Sequence, residues 1–133
     1  MIKNKGIPLR EGWVFRRGSI YLANLNPFRG SEQGGTRPVL VLQNNDGNYF
    51  SDTLIVAPIT SVLKKKDLPT HCFIRWNRGF EMPSIVQLEQ ITTIDKSRIK
   101  SYLGHISKKQ MQKVEDAIET SLGFEIPECM EAP

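Results

Sequence analysis

The sequence predicts a mainly β (α+β) fold, a small curled sheet or barrel capped by one C-terminal α-helix. Two observations carry this prediction. Short runs of strand character, separated by turn residues, recur between residues 19 and 93. Only one stretch, near the C-terminus, repeats its apolar residues with helical spacing, and it carries cap residues at both ends. The length of 133 residues suits about one domain. At 39% apolar and 24% charged residues the chain can bury a core, and the mix is too even for a disordered one.

Residues 1–16 read as a basic extension without a clean period, although Trp13, Val14 and Phe15 could add a short strand or pack on the surface. Ser19 to Leu25 alternates as a strand and stops at Asn26-Pro27. Arg29 to Thr36 is a loop holding Gly30, Gly34 and Gly35. Pro38 to Gln43 is a continuous apolar run, the pattern of a strand buried on both faces. Asn44 to Asn48 is expected to form a turn, since Asn, Asp and Gly tolerate positive φ. Thr53 to Thr60, Cys72 to Trp76 and a longer run from Ser84 to Thr93 are the remaining strands. The helix starts after Ser107, with Gln110 placed for a capping box and Ile106 and Met111 for a hydrophobic staple. Met111, Val114, Ile118 and Leu122 then give one apolar stripe, and Gly123 is a natural stop. The main domain is thus expected over residues 17–123, followed by an acidic tail, 124–133.

Charge is unevenly spread. The net charge is +4. Residues 1–20 hold five basic side chains against one acidic, and residues 21–110 hold twelve against seven. Residues 111–133 reverse the balance, with Lys113 against six carboxylates. A basic body favours an anionic partner such as nucleic acid or an acidic protein segment, and ordinary surface charge is the competing reading. No apolar run is long enough to span a bilayer, and no secretory signal is visible, so no membrane association is expected. Two cysteines, Cys72 and Cys129, are too few for a disulfide framework or a zinc site, which points to a reducing, cytoplasmic setting without metal or cofactor.

Few residues offer chemistry. His71 and His105 could form an acid–base pair, but both stand at element ends where histidine is more often structural. Neither cysteine has an activating pattern. Asp46 and Asp52 flank a turn, and turn chemistry accounts for them. The Gly30–Gly35 loop lacks the Lys and following helix of a P-loop. It still places Ser31, Glu32 and Gln33 on a backbone free to approach a ligand. Arg37 follows at the start of a buried strand, so its guanidinium should emerge at the rim of a rigid sheet, where its fork suits a phosphate. A structural Arg–carboxylate pair is the alternative. Thr60 ends the next strand and could present a hydroxyl at the same rim. Lys64-Lys65-Lys66 follows. Phe73, Trp76 and Phe80 interleave with Arg75 and Arg78, a pattern that can stack and neutralise single-stranded nucleic acid, although inward packing is the expected role of Phe73.

Four stretches together resemble the MazF/PemK toxins. They are Arg17-Gly18-Ser19-Ile20-Tyr21, Gly30-Ser31-Glu32-Gln33-Gly34-Gly35-Thr36-Arg37-Pro38-Val39-Leu40-Val41, Val56-Ala57-Pro58-Ile59-Thr60 and Leu88-Glu89-Gln90-Ile91-Thr92-Thr93-Ile94-Asp95. The likeness runs from about Arg17 to Leu122, and the G-S-E-Q-G-G-x-R-P loop is its most specific part. Leu68-Pro69-Thr70-His71 and Gly79-Phe80-Glu81 bring it nearest the MazF branch of Gram-positive bacteria. The extension before Arg17 and Met82-Pro83, which stands where a charged pair is common, depart from the pattern.

The resemblance implies an SH3-like, strongly curled β-barrel working as a homodimer. It implies the toxin of a type II toxin–antitoxin system, a metal-independent, sequence-specific endoribonuclease acting on single-stranded mRNA. The cognate antitoxin would fill the RNA groove with an acidic disordered tail. The family's catalytic positions fall on Arg37 and Thr60, with Glu32 as its loop carboxylate. Ser31, Gln33, Lys64, Lys65 and Gln90 are the implied RNA contacts. Two rival readings keep the barrel but not the reaction, a CcdB-like gyrase poison and an inactive barrel that only binds RNA or antitoxin.

Overall fold

The computed structural model describes residues 6–65, 67–77, 81–124, 126, 128 and 132–133. Lys66, Arg78, Phe80 and Cys129, named above, lie outside the described residues, as does much of the acidic tail. Among the described residues the strands are β1 (Ile7–Pro8), β2 (Ser19–Asn24), β3 (Thr36–Val41), β4 (Thr53–Thr60), β5 (His71–Asn77), β6 (Glu81–Gln87), β7 (Thr92–Asp95) and β8 (Ile99–His105). Two α-helices join them, α1 (Asn45–Phe50) and α2 (Lys108–Ser121). The sheet is antiparallel in the order β1-β8-β2-β3-β4-β6-β5, with β7 on β4 off this path. The ladder therefore ends at β1 and at β5, and no hydrogen-bonded pairing among the described residues joins those ends into the closed barrel expected from the sequence.

The central strand β3 is buried on both sides, as its unbroken apolar run requires. Val39 and Val41 pack with Tyr21, Ala23, Leu54, Val56 and Ile94 on one face. Leu40 packs on the other with Ile20, Ala57, Ile59, Ile74 and Trp76, under Met111, Val114 and Ala117 of α2. Curvature comes from β2, whose pairing with β8 shifts register between Ile20 and Tyr21 and again between Leu22 and Ala23. Such bulges bend a strand and increase its twist.

Several expectations are corrected. Asn44 to Asn48 is not a plain turn. Asn44 has φ −62° and its side chain accepts from the Gly47 N–H, so it caps α1. The residue types that favour turns are also those that cap helices. The run from Ser84 to Thr93 is not one strand. It breaks into β6, a 3-10 turn at Leu88–Gln90, and β7. The break lets this stretch pair with β4 twice, first at Ile59–Thr60 and then at Thr53–Val56. On β5 the buried residues are Cys72, Ile74 and Trp76. Phe73 instead shares the outer face with Arg75, whose guanidinium lies 5.3 Å from its ring centroid. β8 has no counterpart among the strands expected from the sequence. Residues 6–16 also join the sheet, through β1 on β8, the hydrogen bond of Trp13 Nε1 to the Tyr21 hydroxyl, and buried Phe15.

Ser107 caps α2 as expected, its Oγ accepting from the Gln110 N–H. The reciprocal half of the box is replaced by another bond. Gln110 Oε1 accepts from the Arg75 N–H at 2.6 Å, on the strand that ends the sheet. Leu122 is 58% exposed, because α2 stops at Ser121 and the buried stripe ends with Ala117 and half-buried Ile118. Ser107→Ala is expected to cost about 1 kcal/mol, measured by chemical denaturation, with the fold unchanged.

Candidate active site

Register decides how the sequence-predicted residues meet. β3 and β4 pair as Val39↔Pro58, Leu40↔Ala57 and Val41↔Val56. The β3–β4 pairing ends at Val39 and Pro58; Arg37 pairs with Ala23 of β2 and Thr60 with Ile85 of β6, and the β3–β4 register extended by two residues would bring Arg37 and Thr60 to one level. Side chains alternate along a strand, so Arg37 shares the face of Val39 and Val41, and Thr60 that of Leu54 and Val56. Alternation thus assigns both to one face, near the ends of adjacent strands.

Each is held by a local bond that leaves its reactive part available. Arg37 Nε donates to the Gly34 carbonyl at 3.0 Å. Among the described residues no carboxylate forms an ion pair with Arg37, so its role is not that of a structural Arg–carboxylate partner. Thr60 Oγ1 accepts from the Val62 N–H at 3.1 Å. A hydroxyl that is accepting keeps its own proton to donate.

The glycine loop stands beside them. Gly30 and Gly35 have φ of +56° and +75°, which favours glycine. At Gly34 an added Cβ would lie 1.9 Å from Phe28 Cδ1, so the ring and the loop backbone are in close contact. Ser31 and Glu32 are exposed and Gln33 is half-buried. Glu32 Oε1 accepts from the Arg29 N–H at 2.6 Å, and Glu32 does not pair with Arg37. Gln90 turns its side chain to the loop backbone. Its Nε2 donates to the Ser31 carbonyl at 3.1 Å and its Oε1 accepts from the Gln33 N–H at 3.3 Å. Lys64 and Lys65 are exposed on the β4–β5 connection.

An open cavity of about 460 Å³ lies against this loop, lined by Phe28, Glu32, Gln33, Pro58, Gln90 and Arg98 among others. Arg37 and Thr60 are not in its lining. They lie two residues beyond Val39 and Pro58 along their strands. Sequence reasoning missed Phe28 and Arg98. Phe28 is an aromatic 54% exposed beside the loop, and the Phe28-Arg29 pair is its only sequence signal. Arg98 Nη1 donates to the carbonyls of Asn24 and Asn26 and so braces the other wall.

The histidines do not form a pair. His71 is bonded to the Lys65 carbonyl and to Glu89, and His105 Nδ1 to the Tyr102 hydroxyl. Burial pushes the Cys72 thiol up to about 11, so it stays protonated and poorly nucleophilic near neutral pH. Among the described residues no group of three or more His, Cys, Asp or Glu side chains could hold a metal ion. None of the described helices is long and apolar enough to cross a membrane.

The fold is a small curled antiparallel sheet with a C-terminal helix, carrying Arg37 near the start of β3, Thr60 at the end of the adjacent β4, and a polar glycine loop between β2 and β3. The family model described as PemK-like, MazF-like toxin of type II toxin-antitoxin systems matches residues 16–122, and the chain belongs to this family. It is 51% identical over 112 residues to endoribonuclease EndoA of Bacillus subtilis, which covers 84% of this chain and 97% of that protein. It is 48% identical over 112 residues to endoribonuclease MazF of Staphylococcus saprophyticus, covering 84% and 93%. Both relatives come from Gram-positive bacteria, the branch the sequence motifs indicate. Among solved structures, MazF of Deinococcus radiodurans aligns with a TM-score of 0.72 at 26% identity, covering 84% of this chain and 98% of that one. A mycobacterial endoribonuclease in complex with its cognate antitoxin aligns with a TM-score of 0.64 at 24% identity, covering 86% and 98%.

Proposed function

We propose that this chain, an endoribonuclease and the toxin of a type II toxin–antitoxin pair, cuts single-stranded mRNA by turning the RNA's own 2′-hydroxyl on the adjacent phosphate. What supports this reading is the β3–β4 register, which, extended two residues past Val39 and Pro58, leads to Arg37 and Thr60. The 2′-oxygen attacks phosphorus and the bond to the 5′-oxygen of the next nucleotide breaks. The products are a 2′,3′-cyclic phosphate and a 5′-hydroxyl. Charge develops on the non-bridging oxygens, where the Arg37 fork and the Thr60 hydroxyl supply preorganised donors. Arg37 stays protonated, because a guanidinium resists deprotonation. Glu32, on the neighbouring loop, is the carboxylate assigned to accept the 2′-hydroxyl proton, with that proton or another returned to the leaving oxygen. Ser31, Gln33, Lys64 and Lys65 follow the backbone and bases.

On this reading the sheet is the family's SH3-like barrel, open between β1 and β5, and the working unit is a homodimer whose groove carries RNA across both copies. The basic body then has two anionic occupants in turn, the mRNA and an acidic tail of the cognate antitoxin. The setting is cytoplasmic.

The nucleophile is already part of the substrate, so no metal-activated water is needed. Cleavage of a long single-stranded RNA is expected to keep its rate in excess EDTA. A loss of tenfold or more that a divalent cation restores would overturn this chemistry.

A further inference from the structure

We infer that His71 and Glu89 are positioning residues that set the glycine loop and Arg37 through a series of hydrogen bonds linked by the peptide backbone at Glu89–Gln90 and Gln33–Gly34. The inference rests on the reading of Arg37 as catalytic. His71 begins β5, and its side chain is only 7% exposed. Its Nδ1 lies 2.9 Å from the Lys65 carbonyl and its Nε2 2.6 Å from Glu89 Oε2. A carbonyl oxygen only accepts, so Nδ1 carries a proton. The 2.6 Å contact of Nε2 with Oε2 joins the ring to the Glu89 carboxylate, so the imidazole is held from both of its nitrogens.

What this clasp joins is more telling than its strength. At one end is Lys65, a non-glycine residue at φ +56°, whose carbonyl also accepts from the Leu68 N–H at 3.0 Å. His71 thus fastens the loop that carries Lys64 and Lys65. At the other end Glu89 belongs to the 3-10 turn Leu88–Gln90, whose Leu88 N–H donates to the Thr70 carbonyl. The next residue, Gln90, holds the glycine loop on both sides of Glu32, at the Ser31 carbonyl and the Gln33 N–H. One residue beyond Gln33, the Gly34 carbonyl accepts from Arg37 Nε. The 3-10 turn therefore ties two loops separated in sequence to one another and to the guanidinium.

Cutting the clasp should let the turn rotate and misplace Arg37, and small misplacements of a catalytic group cost rate steeply. The test uses the full chain and a long single-stranded RNA transcript. His71→Ala and Glu89→Ala are each expected to lower kcat about tenfold while KM moves less than about threefold. Exchange of the Gln33 backbone amide, followed by NMR, is expected to quicken in both variants. Gln90→Ala is measured alongside, and the double variant His71→Ala/Gln90→Ala is expected to be no slower than the slower of its two single variants, because both substitutions break one chain. A merely structural loss would add instead. Additive rates, or a Gln33 amide that exchanges as in the unsubstituted protein, would overturn the proposal. Glu89, with its side chain 36% exposed, supplies the second variant if His71→Ala fails to fold. Should Arg37→Ala retain activity while the exchange coupling holds, the reading of Arg37 fails and the coupling does not.

Discussion

Arg37→Ala is expected to lower RNA cleavage by roughly 10³-fold or more, the scale seen when a preorganised donor or arginine finger is removed from a charged transition state. The fold is expected to survive. Arg37 is half-buried at the rim, and among the described residues it makes no ion pair. The substitution removes the hydrogen bond from Arg37 Nε to the Gly34 carbonyl, so the unfolding free energy should move by less than about 1 kcal/mol. Arg37→Lys keeps the charge but not the fork, and should recover only a small part of the rate. Single-turnover cleavage together with a denaturation curve separates the two effects. A variant that folds and cuts at near-normal rate would take Arg37 out of the mechanism.

The second large effect lies in the substrate. Replacing the 2′-hydroxyl 5′ to the cleaved phosphate with hydrogen removes the nucleophile, and cleavage at that bond should cease. Binding should change less than about threefold, since backbone contacts are made to phosphates and stacked bases that remain. The deoxy strand should therefore compete with RNA as an inhibitor. Cutting of the deoxy strand would mean that water or a protein group is the nucleophile, and the pairing of Arg37 with Thr60 would need another explanation.

Legibility from sequence follows the range of the interaction. β3 is readable because residues buried on both faces must all be apolar, and Val39, Leu40 and Val41 are each 0% exposed. The start of α2 is readable because Ser107 and Met111 act within one turn. α1 is not, since Asn44 caps a helix with the same side chain that would make a turn. The break at Leu88–Gln90 is hidden because its cause is pairing with β4, some thirty residues earlier in the chain. The same holds for the site. Motif and strand position single out Arg37 and Thr60, but the level they share depends on register, which no local pattern states. The motif implies an RNA contact for Gln90. Its amide holds the loop backbone at Ser31 and Gln33, a contact visible only once two distant segments are folded together.

The charge pattern fits the same picture. Arg17 spends its guanidinium on the Leu42 carbonyl and on Glu115 of α2, so part of the basic excess is structural. Lys64 and Lys65 are exposed, and Arg37 is half-buried with its Nε bonded to the Gly34 carbonyl. Cys72 takes no part, its thiol being buried and held protonated.

If the RNA supplies its own nucleophile at the Arg37–Thr60 rim, the ends of the fragments must record it. A long RNA is incubated with the protein and both new ends of each cut are identified chemically. A 2′,3′-cyclic phosphate upstream and a 5′-hydroxyl downstream are the expected ends. A 3′-hydroxyl facing a 5′-phosphate would refute attack by the 2′-oxygen.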